Sequence, residues 1–542
     1  MTQIQFDVRK RDFLARIGSL KIGDEVYQTP VVLDAEEKFP SLAGRDFSNL
    51  PLTAPQSDVD KYFVPGAEAP FAVHPLCAAG GPGLVMVPNW NNTLEDSGRM
   101  VEYLEKLQSA PVDAARFAPA SALPSNVALL IYMGFDVFDY TAVDLASIQG
   151  KFCTPDGEFS ADYLEKGVCC CEGCKTGDLR LHNRLALERE IAYCRTWIER
   201  TQMREFMEMR CRMKAPQVEL LRRIDRSSAF DAAYPSVRGA RLYANAGESM
   251  YRREIALFEK RILERFTPPR SDVCVLLPCA ARKPYSLSRS HQMFMKVVDG
   301  RAHEVIVTSP LGVVPRELEL IYPAGHYDVP VTGYWDKEEC EVLTGYLAAY
   351  LEKFRYGRVL CHLEGGARMV AEAAAARAGV TLEFTCNDDR PLSQESLRAL
   401  NSALRDAKRM RGGHLVGTLA WQFGAVVDTK GWIAKGRYPE QKIYEKKTQI
   451  FSVDVQTGML RPTHDGWKYI SGYRVKIAPG FTPQGDVLAP GVAECDPRIR
   501  EGDEVLVEGE GYLATGKAAM GAYEMMHAKR GVAVKVRKTK KN

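Results

Sequence analysis

The chain has 542 residues, too many for one hydrophobic core, so three or four domains are expected. Hydrophobic residues at 46% and charged residues at 26% are ordinary for a soluble globular protein and exclude a disordered or fibrous chain. The net charge of +3 is unevenly spread: half of the last fourteen residues are Lys or Arg and none is acidic. Such a tail fits either a solvated charge run or the electrostatic footprint of a nucleic-acid binder.

The first domain is expected over residues 1–245. Its first twenty residues alternate charged and apolar side chains without a signal-type hydrophobic region. The longest apolar stretch, Val127–Phe135, is too short to span a bilayer. A cytoplasmic protein without a membrane partner is the expectation. Fourteen cysteines in such a chain do not suggest a disulfide framework. Four of them crowd into Cys169–Cys174, and His182 follows at the start of a helical stretch, Leu185–Ile198. Cys169, Cys171, Cys174 and His182 make the closed set of three thiolates and an imidazole that suits structural zinc. An iron–sulfur cluster that also uses Cys170 is the alternative.

An amphipathic helix over Ser249–Phe266 and the linker Thr267-Pro268-Pro269 lead into the second domain, residues 246–390. Strands are expected at Val273–Leu277, Glu304–Thr308, Arg358–Leu363 and Thr381–Phe384. Between the second and third lies a helix with Asp336 as N-cap and an apolar stripe from Val342 to Phe354. Alternating strands and helices imply a mainly parallel sheet, whose strand ends converge on one edge, where ligands bind. The first strand runs into Pro278-Cys-Ala-Ala-Arg-Lys-Pro-Tyr-Ser-Leu-Ser-Arg-Ser-His291. A thiol, an ammonium, a phenol, hydroxyls and an imidazole within fourteen positions are too polar for ordinary packing. Cys279 is the candidate nucleophile, with Arg282, Lys283 or His291 favouring its thiolate. Taken singly, Cys279 fits a structural cysteine, Lys283 a surface charge and His291 a satisfied helix-start histidine; their coincidence at a strand end points to a site. The loops after the other strands contribute Ser309, Arg316 and Glu364 to the same edge.

Pro391 opens a connecting α+β domain, residues 391–464, with a helix over Gln394–Met410 and short strands from about Trp421. Residues 465–542 read as a small β-barrel of short strands joined by Gly turns. Gly485 and Gly491 would let an RNA backbone approach closely.

The spacing of Pro278, Cys279, Lys283, Pro284, Tyr285, Ser288 and His291 resembles the signature of the alpha subunit of archaeosine synthase, an archaeal tRNA-modifying family. Ser309-Pro310-Leu311-Gly312, Pro315-Arg316-Glu317 and His326-Tyr327-Asp328 also look like that family's core. The resemblance covers essentially the whole chain and is weakest at residues 1–120 and 391–440. It implies addition of an amine to the nitrile of 7-cyano-7-deazaguanine at position 15 of tRNA. The product is an amidine that a radical-SAM partner enzyme converts to archaeosine. The donor is lysine or a glutamine-derived nitrogen. In that frame Cys279, Lys283 and His291 are catalytic, and Tyr285, Ser288, Ser309, Arg316 and Glu364 bind substrate. A covalent thioimidate on Cys279 and a direct addition in which Cys279 only lines the pocket both remain open.

The cysteine cluster and Gly134-Phe135-Asp136-Val137-Phe138-Asp139 resemble tRNA-guanine transglycosylases, with Asp139 at the place of their nucleophile. The second aspartate segment of those enzymes is missing. Residues 1–245 are also short for a full barrel, so a reduced TIM-barrel-like domain is expected, inactive in base exchange, with Asp139 holding a loop or touching the base. The order of the C-terminal strands resembles a PUA domain, which makes Lys517, Lys535, Arg537 and Lys538 RNA contacts beside Gly485 and Gly491. The fold class is therefore multidomain α/β and α+β: a reduced barrel with zinc, a central parallel sheet, and a C-terminal PUA barrel. An active transglycosylase and a non-catalytic tRNA-binding scaffold are the alternatives, and the sequence leaves a homo-oligomer open.

Overall fold

The computed structural model describes residues 4–38, 64–65, 72–73, 83–86, 96–330, 334–410, 414–481 and 483–541. The chain forms two compact units. The first comprises residues 1–235 with 486–493 and 519–534; the second comprises 236–485, 494–518 and 535–542.

In the first unit, β1 (Ile4–Asp12), β2 (Ala15–Ile22) and β3 (Glu25–Thr29) form an antiparallel sheet. A second sheet has the order β4 (Val31–Leu33), β9 (Val137–Asp139), β8 (Ala115–Phe117), β7 (Leu84–Met86), β6 (Ala72–Val73), β5 (Val64–Pro65). Neighbours from β4 to β7 are parallel, and the pairs at β6 and β5 are antiparallel. Every residue of β8 and β9 is buried, as expected of strands covered on both faces. Among the described residues this sheet does not close on itself. Only four of its strands run parallel, whereas an eight-strand barrel needs about 250 residues of βα units. A hairpin, β10 (Lys151–Thr154) and β11 (Gly157–Ser160), precedes a long helix, Leu179–Glu199. That helix starts earlier than its apolar periodicity suggests, because Asp178 caps it by accepting from the Leu181 N–H at 2.9 Å.

The second unit holds a five-stranded sheet. Its order is β15 (Gly312–Pro315), β14 (His303–Thr308), β13 (Val273–Pro278), β17 (Arg358–Cys361), β18 (Leu382–Phe384). All neighbours are parallel except the β14–β15 hairpin. The four strands read from sequence lie within two residues of these bounds. Leu276, Val305 and Val307 pack on one face with the helices Arg253–Arg265, Lys337–Phe354 and Gly365–Ala378. Val275, Leu277 and Leu360 pack on the other face with Phe294 and Leu400. Asp336 caps the Lys337–Phe354 helix through the Glu339 N–H at 2.8 Å, as its sequence indicates. A two-residue parallel pair, β12 (Leu242–Tyr243) with β16 (Tyr327–Asp328), stands apart from this sheet.

Three elements differ from the sequence reading. The helix expected from Ser249 starts at Arg253, after a 3₁₀ turn over Gly247–Tyr251. The helix expected to reach Met410 ends at Ala403, because the segment after Leu404 has no apolar stripe to bury. Trp421, expected to open the strand region, lies buried in the helix His414–Phe423, its indole N–H donating to the Phe258 carbonyl at 3.4 Å. The strands begin later, as an antiparallel sheet of β19 (Trp432–Lys435), β20 (Lys442–Glu445), β21 (Thr448–Val453) and β22 (Leu460–Pro462). The C-terminal sheet has the order β24 (Val487–Leu488), β28 (Val532–Lys541), β27 (Tyr512–Ala518), β26 (Glu504–Gly509), β23 (Arg474–Ile477), β25 (Val492–Cys495). The basic C-terminal run is thus largely a strand.

Candidate functional site

The loop after β13 leaves the sheet at its carboxyl edge. Cys279 is exposed there, and Lys283 is half-buried. Burial pushes the Lys283 ammonium below its usual pKa; Cys279 and Asp328 lie close enough to oppose this, and Arg241 adds to it. The ammonium sits over the Tyr327 ring, 4.1 Å from its centroid, a cation–π contact that holds its direction. Beneath that ring runs a buried chain of hydroxyls. Tyr327 OH lies 2.7 Å from Tyr285 OH and 2.6 Å from Thr308 Oγ1. Tyr285 is therefore a buried wall of the site. Asp328 is ion-paired with Arg241 at 3.2 Å.

His291 occupies another place than the one expected of a proton carrier. It is fully buried, with both ring nitrogens engaged. Its Nε2–H donates to the Pro278 carbonyl at 2.9 Å, and its Nδ1 accepts from Arg316 Nη2 at 2.8 Å. Burial first, and the Arg316 charge second, push its pKa down to about 3, so the ring is neutral at physiological pH. Arg316 lies behind it rather than at the open edge. It pairs with Glu304 at 2.6 Å and Glu319 at 2.8 Å. Glu319 in turn accepts from the Ser286 N–H at 2.9 Å and from the Tyr438 hydroxyl at 2.8 Å. Ser288 is the N-cap of the helix Arg289–Val298 and accepts from the His291 N–H at 3.2 Å. Half of the motif thus anchors the loop, and the other half is presented by it.

Ser309 follows β14 and is buried, its hydroxyl 3.7 Å from Met250 Sδ. Glu364 is exposed at the start of the Gly365–Ala378 helix and makes no side-chain cap bond. Burial and the nearby Asp389 and Asp388 raise its pKa. Of the side chains expected to act on or bind the substrate, Cys279 and Glu364 are exposed and Lys283 is half-buried. Thr308, Arg241 and Tyr438 escaped the sequence reading. Arg241 and Tyr438 lie far from the motif in sequence and have no pattern of their own; Thr308 could have been found from its place at the carboxyl end of a strand.

In the first unit, Cys169, Cys171, Cys174 and His182 come together, with all four ligand atoms within 4.8 Å of one another. Cys171 and Cys174 Sγ each lie 3.3 Å from His182 Nδ1. The His182 Nε2–H donates to the Cys153 carbonyl at 3.1 Å, which leaves Nδ1 bare towards the thiols. Phe152 stacks on the imidazole with centroids 3.7 Å apart. Gly173 lets the knot close: a Cβ there would lie 2.3 Å from the His182 nitrogen. This set can hold one tetrahedral metal ion, and Cys170 is exposed and outside it. Asp139, in the same unit, is 1% exposed. Its carboxylate accepts from Ala120 N–H at 3.1 Å and Thr141 N–H at 3.0 Å. Burial outweighs these bonds and raises its pKa to about 6. The geometry is that of a loop holder.

Of the expected RNA contacts, Lys535 and Lys538 are exposed on β28 and Gly485 is open, with no atom within 4 Å of where its Cβ would be. Gly491 is buried in a 3₁₀ turn, Lys517 is half-buried, and Arg537 is paired with Glu504 at 2.6 Å.

Residues 255–404 match the family described as a domain of unknown function (DUF5591), and residues 481–539 match the PUA domain. The chain is 38% identical to archaeosine synthase subunit alpha of Methanosarcina acetivorans, over 83% of this chain and 78% of that one. It is 33% identical to archaeosine synthase of Haloferax volcanii, over 98% of each. A tRNA-guanine(15) transglycosylase of Methanobrevibacter smithii is 26% identical, over 79% of this chain and 67% of that one.

Proposed function

We propose, from the premise that the chain belongs to the archaeosine synthase family, that it adds a primary amine to the nitrile of 7-cyano-7-deazaguanine at position 15 of tRNA. The observation that carries this reading is the pairing of an exposed Cys279 with a half-buried Lys283 on one anchored loop. A nitrile carbon is electrophilic, and a thiolate is the chain's best-placed nucleophile for it. Attack by Cys279 Sγ forms a C–S bond while the nitrile nitrogen takes a proton from the Lys283 ammonium, giving a thioimidate. The donor amine then adds to the same carbon, the C–S bond breaks, and Lys283 recovers a proton from the nitrogen that attacked. The lowered pKa of Lys283 suits both transfers. His291, neutral and held by Pro278 and Arg316, positions the loop and takes no part in proton transfer.

Lysine is the proposed donor, with glutamine-derived nitrogen as its competitor, and a radical-SAM partner completes archaeosine. Zinc in the Cys169–Cys171–Cys174–His182 set is structural, because four protein ligands leave no open position for chemistry. The PUA domain, with Lys535 and Lys538, grips tRNA phosphates.

Incubation of the purified chain with nitrile-bearing tRNA and labelled lysine or glutamine tests the reading by nucleoside mass spectrometry. A lysine adduct is expected, and absence of any adduct would end it. Cys279→Ala decides the route: adduct formation at the normal rate rules out the thioimidate. A transglycosylase reading draws on relatives that are 24–26% identical. It requires exchange of labelled guanine into tRNA, and the enclosed carboxylate of Asp139 argues against that.

A further inference from the structure

We propose that the outer face of the sheet β19–β22 is a second tRNA-binding surface, which takes the phosphate backbone on its lysines and a base on Tyr444. The inference rests on the tRNA substrate proposed above.

The two faces of this sheet differ in chemistry. On one, Trp432 lies 5.7 Å from the Phe451 ring and 4.8 Å from the Tyr469 ring, with Ile443 buried beside them. That face is a packed aromatic cluster, with Phe451 and Ile443 buried and Trp432 and Tyr469 half-buried. Alternation places Ile433, Lys435, Lys442, Tyr444, Ser452 and Arg461 on the other face. The register sets Lys435 opposite Lys442, Lys442 opposite Ser452, and Ser452 opposite Arg461. With strands about 4.8 Å apart, this row crosses the sheet in about 14 Å and contains no carboxylate of its own. Glu445 points to the opposite face, where it pairs with Lys468. Arg461 is the cation of the row that is ion-paired, with the buried Asp454.

Ordinary solvation accounts for single lysines, but not for the apolar groups set among them. Ile433 is 52% exposed on the edge strand of this face. Tyr444 stands opposite it, half-buried, with Lys435 Nζ 4.9 Å from its ring centroid. Cations around an aromatic platform on an open sheet are what a single-stranded segment needs: charge for the backbone and a π-face for a base. Lys446 and Lys447, exposed at the β20–β21 turn, extend the charge along the edge. Beyond β22, past Thr463, Lys538 and Lys540 of the PUA strand are near enough to act on the His464 imidazole.

The test is tRNA binding by the full chain at several salt concentrations, comparing Lys435→Glu/Lys442→Glu, Lys535→Glu/Lys538→Glu and wild type. The sheet variant should bind at least about tenfold more weakly, and its salt slope should fall by about two, one for each phosphate that these lysines neutralise. Its rate at saturating tRNA should stay normal, so that KM rises while kcat does not. Tyr444→Ala should weaken binding about fivefold or more, with Tyr444→Phe close to wild type. Protection of Lys435 and Lys442 from amine-reactive labelling on adding tRNA reads the same surface without any substitution. Unchanged affinity in the sheet variant, with Lys435 and Lys442 unprotected, would overturn this proposal while a weakened Lys535/Lys538 variant left the tRNA reading intact. A wild-type chain that binds no tRNA would remove both.

Discussion

The Cys169–His182 knot and the Cys279 loop solve opposite problems with similar residue types. In the knot, four ligands drawn from fourteen consecutive positions converge on one point, and the backbone between them does little else. In the loop, the motif is equally short, but its members part company: Cys279 and Lys283 face outwards while Tyr285, Ser288 and His291 turn in. The knot's partners are mostly local. The loop's partners come from β14, from the segment after β15, from β16 and from the β19–β20 hairpin. A ligand cluster that closes locally needs few outside contacts. The Cys279 loop is propped from outside, so its shape depends on distant residues.

Metal removal should act most strongly on this contrast. Cys171→Ser, or chelation of the wild type, should release one equivalent of zinc and destabilise the first unit by more than about 3 kcal/mol, read as a lost or lowered melting transition. Retention of the transition without metal would make the knot as dependent on its surroundings as the loop. Arg316→Leu comes next. It leaves the buried Glu319 and the half-buried Glu304 without their partner and should cost about 3–5 kcal/mol by denaturant unfolding, with metal content unchanged. A change below about 1 kcal/mol would mean that the loop does not depend on that arginine.

The smallest effect concerns pH. His291 has a folded pKa near 3, below its unfolded value of about 6.5, so the unfolded chain binds more protons between those limits. Its contribution is therefore complete above about pH 6.5 and declines as pH falls towards 3. Urea midpoints measured at pH 7.5 and pH 5 should differ more in the wild type than in His291→Gln. Equal pH dependence in the two proteins would show that the imidazole is not the neutral strut described above.

What could be read in advance follows the same division. The knot was legible because Cys169, Cys171, Cys174 and His182 need only a turn and a helix start to meet, and both are local properties. The central strands were legible because β13, β14 and β17 are buried apolar runs with polar loops at their ends. The place of His291 was not, because an imidazole that moves protons and one that braces a carbonyl have the same one-letter code. Only Arg316 and Pro278, brought close by the fold, distinguish them. Trp421 misled for a related reason: its indole completes the core around Phe258, a partner more than 150 residues away.

Tyr438 and Trp421 also fix where this protein can be cut. The DUF5591 match ends at residue 404, yet the core it encloses is completed by Trp421 and Met459, and Glu319 takes its hydrogen bond from Tyr438. A fragment trimmed to that match would expose apolar surface around Phe258 and leave a buried carboxylate oxygen without its donor. The smallest piece of the central domain that can stand by itself therefore runs past residue 459. The boundary of a family in sequence space is here shorter than the boundary of the folding unit that carries it.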